Sequence, residues 1–377
     1  MTTIRRRQLC FCLVFLVLCA FLVLVPTGFD RAIYVNATGA RARVLATDDS
    51  MMHQTGLMRS GEQRCTILVL SGKHKGEVIK DAINMLSGKL EFDKVFTEGD
   101  IAWALLEQDA EHDDQVIFAN LQEQYRIGKE LLLIGLFSLL LLAFSGYTGA
   151  RTLLSFAFAI LAILKFLVPM ALKGYSPMLL ALLIGNTITV VTLILVAGLS
   201  RRAFAAIISA VSCSLLTAFL SWVFTKYFAI HGSVLQWSES LLYSAYLKVD
   251  LTKLFEAAVY LGCSGAIIDL SIDISAALDE VHKAKPDASY SYLLKSGLTI
   301  GKTVVGSETT ILLLAYLSNY LTVMMVYMAQ GTPLMTILNT KTIAAEILHT
   351  FVGCSALVLV SPMTSMVCAR MFAGGKK

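Results

Sequence analysis

Asp269, Asp273, Lys302, Glu308 and Glu346 are ionisable side chains inside otherwise apolar stretches of this sequence. A charge at the centre of a bilayer costs about 2.5–3.5 kcal/mol on insertion scales, so such groups turn toward a bundle interior or a watery path. Asp269 and Asp273 are four residues apart and share one helical face. Counted at about 1.5 Å per residue from the polar turn between their segments, Asp269 and Lys302 reach similar depths, which allows an ion pair. Glu308 falls near the middle of its segment, and Glu346 enters the last segment from the opposite end. Two chemistries fit these residues: the walls of an ion or solute path, or interhelical glue, as also for the polar stripe Asn186, Thr189 and Thr192. A third, an intramembrane hydrolase whose paired aspartates share a proton, ranks below a shared polar face. No Gly-x-Ser-x-Gly, His-Glu-x-x-His or Walker loop occurs, and His53, His74, His112, His231, His282 and His349 are scattered, so no enzyme, cofactor or metal site is expected.

The elements that would hold these groups are membrane helices. Of 377 residues 56% are hydrophobic and 15% charged, far too apolar for an ordinary soluble domain. The net charge of +4 is spread over the ends of apolar runs, which excludes a basic stripe for nucleic acid. Cys10, Cys12, Cys19, Cys213, Cys263, Cys354 and Cys368 fall in apolar segments, leaving Cys65 without a partner for a disulfide in the polar region.

The first apolar run, Leu9 to Val25, follows Arg5, Arg6 and Arg7 and meets Pro26-Thr27-Gly28 with no small-x-small cleavage pattern. It reads as an uncleaved signal anchor, residues 1–28, with its start in the cytoplasm. Residues 29–128 read as a β-rich extracytoplasmic domain. Ala42 to Ala46, Cys65 to Leu70 and Gln115 to Ala119 are β-prone, and turn signals at Ser71-Gly72, Ser87-Gly88 and Glu98-Gly99-Asp100 separate such stretches into a small antiparallel barrel or sandwich. Lys73-His74-Lys75 reads as a solvated hairpin tip before an anion site. Asn36-Ala37-Thr38 fits a glycosylation sequon, relevant only in a eukaryotic secretory pathway.

Residues 129–377 form the helical membrane domain of about seven spans. Six are Leu131 to Phe144, Leu153 to Leu172, Met178 to Leu199, Ala203 to Phe224, Leu254 to Leu278 and Gly297 to Leu317. Tyr320 to Ala329 is too short to cross and reads as part of a re-entrant or broken element near 320–338. Thr342 to Ala369 is then span eight of the chain. Continued through to Leu338, the broken element would make nine and put the tail outside. Arg151, Arg201, Arg202, Lys283, Lys285, Lys295, Arg370, Lys376 and Lys377 then share the cytoplasmic side. Lys173, Lys226, Lys248, Lys253 and Lys341 face outward, in accord with the positive-inside rule. Lys165 is expected to snorkel to the outer interface. Gly262-Cys263-Ser264-Gly265, Gly297 with Gly301, and Gly353 permit close helix packing.

The ordered motifs resemble the YibE/F-like membrane proteins of bacteria over about residues 40 to 370. In the polar region they are Leu70-Ser71-Gly72 with Lys75-Gly76, Asn84, Leu86-Ser87-Gly88 and Gly99-Asp100. In the apolar region they are Ser200-Arg201-Arg202-Ala203, Asp250-Leu251, Ile268-Asp269 with Ala277-Leu278, Lys295-Ser296-Gly297, Ile300-Gly301-Lys302, Leu314-Ala315-Tyr316-Leu317, Gly331-Thr332-Pro333 and Ala345-Glu346-Ile347. Asp273 and Glu308 depart from the pattern, which usually has small or apolar residues there. The resemblance implies a multi-pass membrane protein of a family without an established activity.

Two functions are therefore expected in order. The first is an inner-membrane permease for a small solute or ion, coupled through Asp269, Lys302, Glu308, Glu346 and Asp273. The second is a non-transporting envelope sensor or scaffold acting through the β domain. Partners of such a chain would be the lipid bilayer, a second copy in a homo-oligomer, a separate ATPase or an envelope protein.

Overall fold

The computed structural model describes residues 3–29, 36–108, 116–244 and 248–373, with side chains from residue 13 onward. His112, Gln115, Lys376 and Lys377 lie outside the described residues, as do the side chains of Arg5, Arg6, Arg7, Cys10 and Cys12. The chain divides into two units, Asp30–Leu140 and Met1–Phe29 with Leu141–Lys377.

The first unit is a β barrel. Its strands are β1 (Ala37–Asp48), β2 (Met52–Thr55), β3 (Met58–Val69), β4 (Val78–Ser87), β5 (Ile101–Gln108) and β6 (Val116–Gln124). β1 pairs antiparallel with β3 and with β5, β3 with β4, and β5 with β6. The ring closes in parallel where β4 meets β6 at Ile83 and Asn120, and β2 folds back on β3 as a hairpin. The order β1-β3-β4-β6-β5 is that of the Greek-key barrel found in OB-folds. β1 serves a neighbour along each edge, Ala42 and Arg43 pairing with both, and a bulge between Val44 and Ala46 bends it. Along β1, Ala40, Ala42 and Val44 point inward while Arg41 and Arg43 point out. The interior is narrow, so alanines at 40, 42, 82, 102, 104 and 119 fill it around Ile67, Leu106, Leu121 and Phe96.

One end of the barrel is closed by a buried amide pair. Gln63, fully buried, donates from Nε2 to Asp49 Oδ1 at 2.8 Å and to the Phe96 carbonyl at 2.9 Å. Its Oε1 accepts from Phe96 N–H at 2.9 Å and from Asn84 Nδ2 at 3.0 Å, and Asn84 donates onward to the Lys94 carbonyl at 2.7 Å. The loop from Ser87 to Asp100 is thereby pinned to β3 and β4.

The barrel is thus the form the β module takes, and one of its pairings is parallel. The expected strands begin and end too early or too late, and β4 and β5 carry weaker sequence signals because Lys80 and Asp81 interrupt the former and Ala102 and Ala104 lower the β propensity of the latter. Ser71 to Gly76 forms the turn between β3 and β4. His74 there is latched rather than merely solvated, with Nδ1 3.0 Å from Glu77 Oε2 and Nε2 2.7 Å from Gln108 Nε2.

The second unit is helical: α1 (Thr3–Leu24), α2 (Ile127–Ala162), a π-helical turn (Ile163–Leu167) running into α3 (Val168–Leu172), α4 (Pro177–Ala197), α5 (Arg201–Tyr227), α6 (Ser238–Tyr243), α7 (Leu251–Ala284), α8 (Tyr290–Ala329), α9 (Leu334–Asn339) and α10 (Lys341–Phe372). Six helices are long and apolar enough to cross a membrane: Ile127–Leu172, α4, α5, α7, α8 and α10. The first of them is doubled back. Gly146 takes φ 52° and ψ −123°, and a side chain at Gly149 would lie 2.6 Å from the carbonyl of Leu141. Eight residues of straight helix would hold these apart by about 12 Å.

Helix starts follow the motifs. Ser200 Oγ accepts from Ala203 N–H to begin α5, Asp250 Oδ1 accepts from Thr252 and Lys253 N–H to begin α7, and Ser289 Oγ accepts from Tyr292 N–H to begin α8. Tyr320 to Ala329 is not a separate element but the last turns of α8. The break comes at Gly331, φ 67°, and Pro333 then precedes α9.

Ser221 Oγ near the end of α5 bonds the Glu256 carbonyl near the start of α7, so these helices are antiparallel and the α4–α5 and α7–α8 turns share one end. Phe372 of α10 stacks on His282 at that end, 6.0 Å between ring centres. Arg151 reaches it too, with Nη2 3.5 Å from the Ile194 carbonyl in the last turn of α4. Arg151, Arg201, Arg202, Lys283, Lys285 and Arg370 therefore gather at one end of the helical unit. Lys165, within the π-helical turn, reaches the end of α1, where Nζ donates to the Val25 carbonyl at 3.0 Å.

Candidate functional site

Three helices, α7, α8 and α10, carry all five sequence-selected residues, and their register follows from two glycines. A side chain at Gly301 would overlap Ser361 of α10 and touch Ile274 Cδ1 of α7 at 3.5 Å. One at Gly297 would lie 2.7 Å from Ser365 Oγ and 2.9 Å from Leu278 Cδ1. These contacts bring the backbones together, as small residues do in lipid, and close that end of the three-helix seam. They also set residue 301 level with 274 and residue 297 level with 278. Lys302 is accordingly level with Asp273.

Equal depth does not bring these two together. Lys302, Asp269 and Asp273 are all exposed, and no ion pair joins Lys302 to either aspartate among the described residues. The expected Asp269–Lys302 pair is absent because the two side chains leave α8 and α7 on different flanks. Lys302 is two helical turns before Thr309, whose carbonyl faces Cys354 Sγ of α10 at 4.0 Å. It therefore lies on the α10 flank. Asp269 is instead within electrostatic range of Asp273 and of the half-buried Glu308.

Farther along the seam lies a cluster that the sequence did not reveal. Glu346 and His349 stand one turn apart on α10, with Nδ1 of His349 4.0 Å from Oε2 of Glu346. The His349 ring lies against Tyr316 of α8, 4.4 Å between ring centres at 43°. One turn farther on, Tyr320 faces the Glu346 carboxyl. The third wall is Gly262 of α7, where a side chain would come within 2.6 Å of His349 Nε2 and 2.9 Å of Tyr316 Oη. Both of those polar atoms are buried and have no hydrogen-bond partner. Thr309 Oγ1, between this cluster and the Asp269 layer, is likewise buried and unpartnered.

Buried polar atoms without partners are rare in folded proteins, since each forfeits roughly 1–3 kcal/mol. Of the eight among the described residues, Tyr316 Oη, His349 Nε2 and Thr309 Oγ1 lie on α8 and α10, and the first two stand beside a carboxyl group, an imidazole and two phenols. These are groups that pass protons or coordinate small polar species, and the tight crossing at Gly297 and Gly301 blocks one end of their row. Tyr316 stood out only as part of the Leu314-Ala315-Tyr316-Leu317 motif and His349 only as one of six scattered histidines, so neither was singled out as a site residue. Glu346 with His349 at i,i+3 and Tyr316 with Tyr320 at i,i+4 are the only local hints, and Gly262 gains its meaning from packing.

The stripe on α4 has a structural role. Asn186 Oδ1 accepts from Ser214 Oγ of α5 at 2.7 Å, and Thr189 returns its hydroxyl to the Gly185 carbonyl. Among the described residues no group of three His, Cys, Asp or Glu side chains is placed to hold a metal ion. On the α5 side of α10 a cavity of about 820 Å³ opens, lined by Leu220, Phe224, Thr309, Phe351, Val352 and Val358 and almost wholly apolar.

Residues 133–374 match a family model described as YibE/F-like protein. The match contains α7, α8 and α10 entire and leaves the barrel outside it. No curated protein and no solved structure matches the chain.

Proposed function

The chain belongs to the YibE/F-like family, and on that premise we propose that it is a multi-pass permease of the bacterial cytoplasmic membrane, moving a small solute or ion coupled to protons. The observation that carries this reading is the pair of unpartnered buried atoms, Tyr316 Oη and His349 Nε2, beside Glu346 in a seam of three helices. A proton taken by Glu346 or His349 changes the charge of the cluster by one unit and, in a site closed to water, changes its demand for a counter-ion. A transported species that supplies the missing hydrogen bonds would then bind one protonation state better than the other, which is the basis of coupling. Asp269 and Glu308 form the next stage of the same path, and the Gly297–Gly301 crossing acts as its gate. The basic end of the helical unit faces the cytoplasm under the positive-inside rule, and the barrel stands outside.

The test is flux in liposomes loaded with a pH-sensitive dye, under an imposed pH gradient, with a panel of monovalent and divalent cations and small carboxylates added in turn. Wild type should dissipate the gradient with at least one of them, and Glu346→Gln and Asp269→Asn should not, while all three proteins retain the same melting temperature. Wild-type liposomes that leak no faster than empty ones across the panel would overturn the reading. They would leave the barrel as the working part of an envelope scaffold.

A further inference from the structure

The outer face of α8 presents charges that neither its own chain nor lipid satisfies. Of its 40 residues only Leu293, Gly297, Gly301 and Tyr316 are buried. Lys302, Thr303, Gly306 and Thr310 are exposed in its middle turns, and nothing lies within 4 Å of where a Gly306 side chain would be. Thr303 and Thr310 return their hydroxyls to carbonyls one turn back. The charges, not the hydroxyls, therefore call for a partner. Lys302 leaves α8 on the α10 flank, whereas Asp269 and Asp273 are exposed on α7. The Gly301–Ile274 and Gly297–Leu278 contacts fix Lys302 and Asp273 at one depth.

We infer that the protein is a two-fold symmetric dimer through the outer face of α8, in which Lys302 of each copy pairs with Asp273 of the other. A two-fold axis along the membrane normal leaves depth unchanged and swaps flanks, so the α10 side of one copy meets the α7 side of its partner. Lys302 and Asp273 then face each other twice, with Asp269 within a turn of the same lysine. The small residues at 303, 306 and 310 let the two copies of α8 approach closely enough for those side chains to meet. Each pair removes two charges from lipid contact, where a lone Lys or Asp is costly. The inference requires that α7 and α8 lie in the bilayer, and does not depend on transport.

Charge exchange between full-length chains carrying different affinity tags tests it. Lys302→Asp alone and Asp273→Lys alone should each lower co-purification of the two tags at least ten-fold, measured in nanodiscs after co-expression. Co-expressing the Lys302→Asp chain with the Asp273→Lys chain should restore it, because one interchain pair forms with its charges exchanged and the other keeps the native Lys302 and Asp273. That rescue also shows that each variant folds. A pair confined to one chain cannot be rescued in trans. Monomeric wild type in nanodiscs would overturn the dimer, as would single variants that co-purify like wild type or a mixed pair that fails to recover.

Discussion

Replacing Gln63 by Leu should release the loop that seals one end of the barrel. The substitution keeps the volume close to native but leaves two buried backbone groups unpaired, the N–H and the C=O of Phe96. Asn84 retains its bond to the Lys94 carbonyl, and Asp49 is exposed and can turn to water. Each buried orphan costs about 1–3 kcal/mol, so the closed loop loses about 2–6 kcal/mol before any relaxation. Opening lets water repair both groups and caps the loss near the lower part of that range. At about 1.4 kcal/mol per factor of ten, a loss of 3 kcal/mol raises the open fraction roughly 100-fold. Hydrogen exchange of the full-length protein in detergent reads this directly: the peptide containing Phe96 should exchange about 100-fold faster, while β1 and β5 away from the loop keep their rates. Gln54→Leu, which removes only an exposed bond to the Gly56 carbonyl, serves as control and should change exchange by less than about three-fold. Unchanged protection at Phe96 in Gln63→Leu would refute the claim that this amide pair holds the loop.

A side chain at Gly185 would meet Tyr260 Oη at 2.8 Å and Cε1 at 2.9 Å, and Tyr260 is fully buried, so Gly185→Ala should destabilise the helical unit by about 1–3 kcal/mol and lower its melting temperature. Partial burial pushes the Asp100 carboxyl up, but hydrogen bonds from Thr97 and the nearby Lys94 ammonium outweigh it and hold the group below the usual carboxylate range. Asp93, bonded by Ser87 and by the Lys89 and Gly88 N–H groups, is held low in the same way against its own desolvation. Their contribution to closing the Ser87–Asp100 loop is therefore complete above the unfolded carboxylate value near pH 4 and is lost as the pH falls through their lower folded values. Exchange at Phe96 should rise as the pH falls below about 4, beyond the intrinsic rate change, and less so in Asp93→Asn. The Cys65 thiol, buried inside the barrel, is pushed up to about 11 by desolvation and by the Asp49 charge, so maleimide at pH 7 should label it only after urea opens the barrel.

Much of the architecture is local and therefore legible along the chain. The apolar runs, the capping residues Ser200, Asp250 and Ser289, and the break at Gly331-Thr332-Pro333 each act within a few residues of themselves. The barrel was legible as a β module only, because its closure depends on β1 pairing with β3 and β5 and on one parallel contact between strands more than thirty residues apart. Lys165 illustrates the same limit. Its partner, the Val25 carbonyl at the end of α1, lies 140 residues earlier in the chain.

What the sequence by itself determined is the order and axial depth of the polar groups, since helical rise per residue is constant and a charge in an apolar run is costly wherever its helix goes. What only the tertiary structure decided is azimuth. Lys302 and Asp273 share a depth but leave on different flanks, whereas Glu346, His349, Tyr316 and Gly262, from three helices, converge on one point. Azimuth is set by which small residues let which helices touch. At Gly297, Gly301 and Gly262 that choice rests on Ser361, Ser365, Tyr316 and His349, which only the folded chain brings within reach.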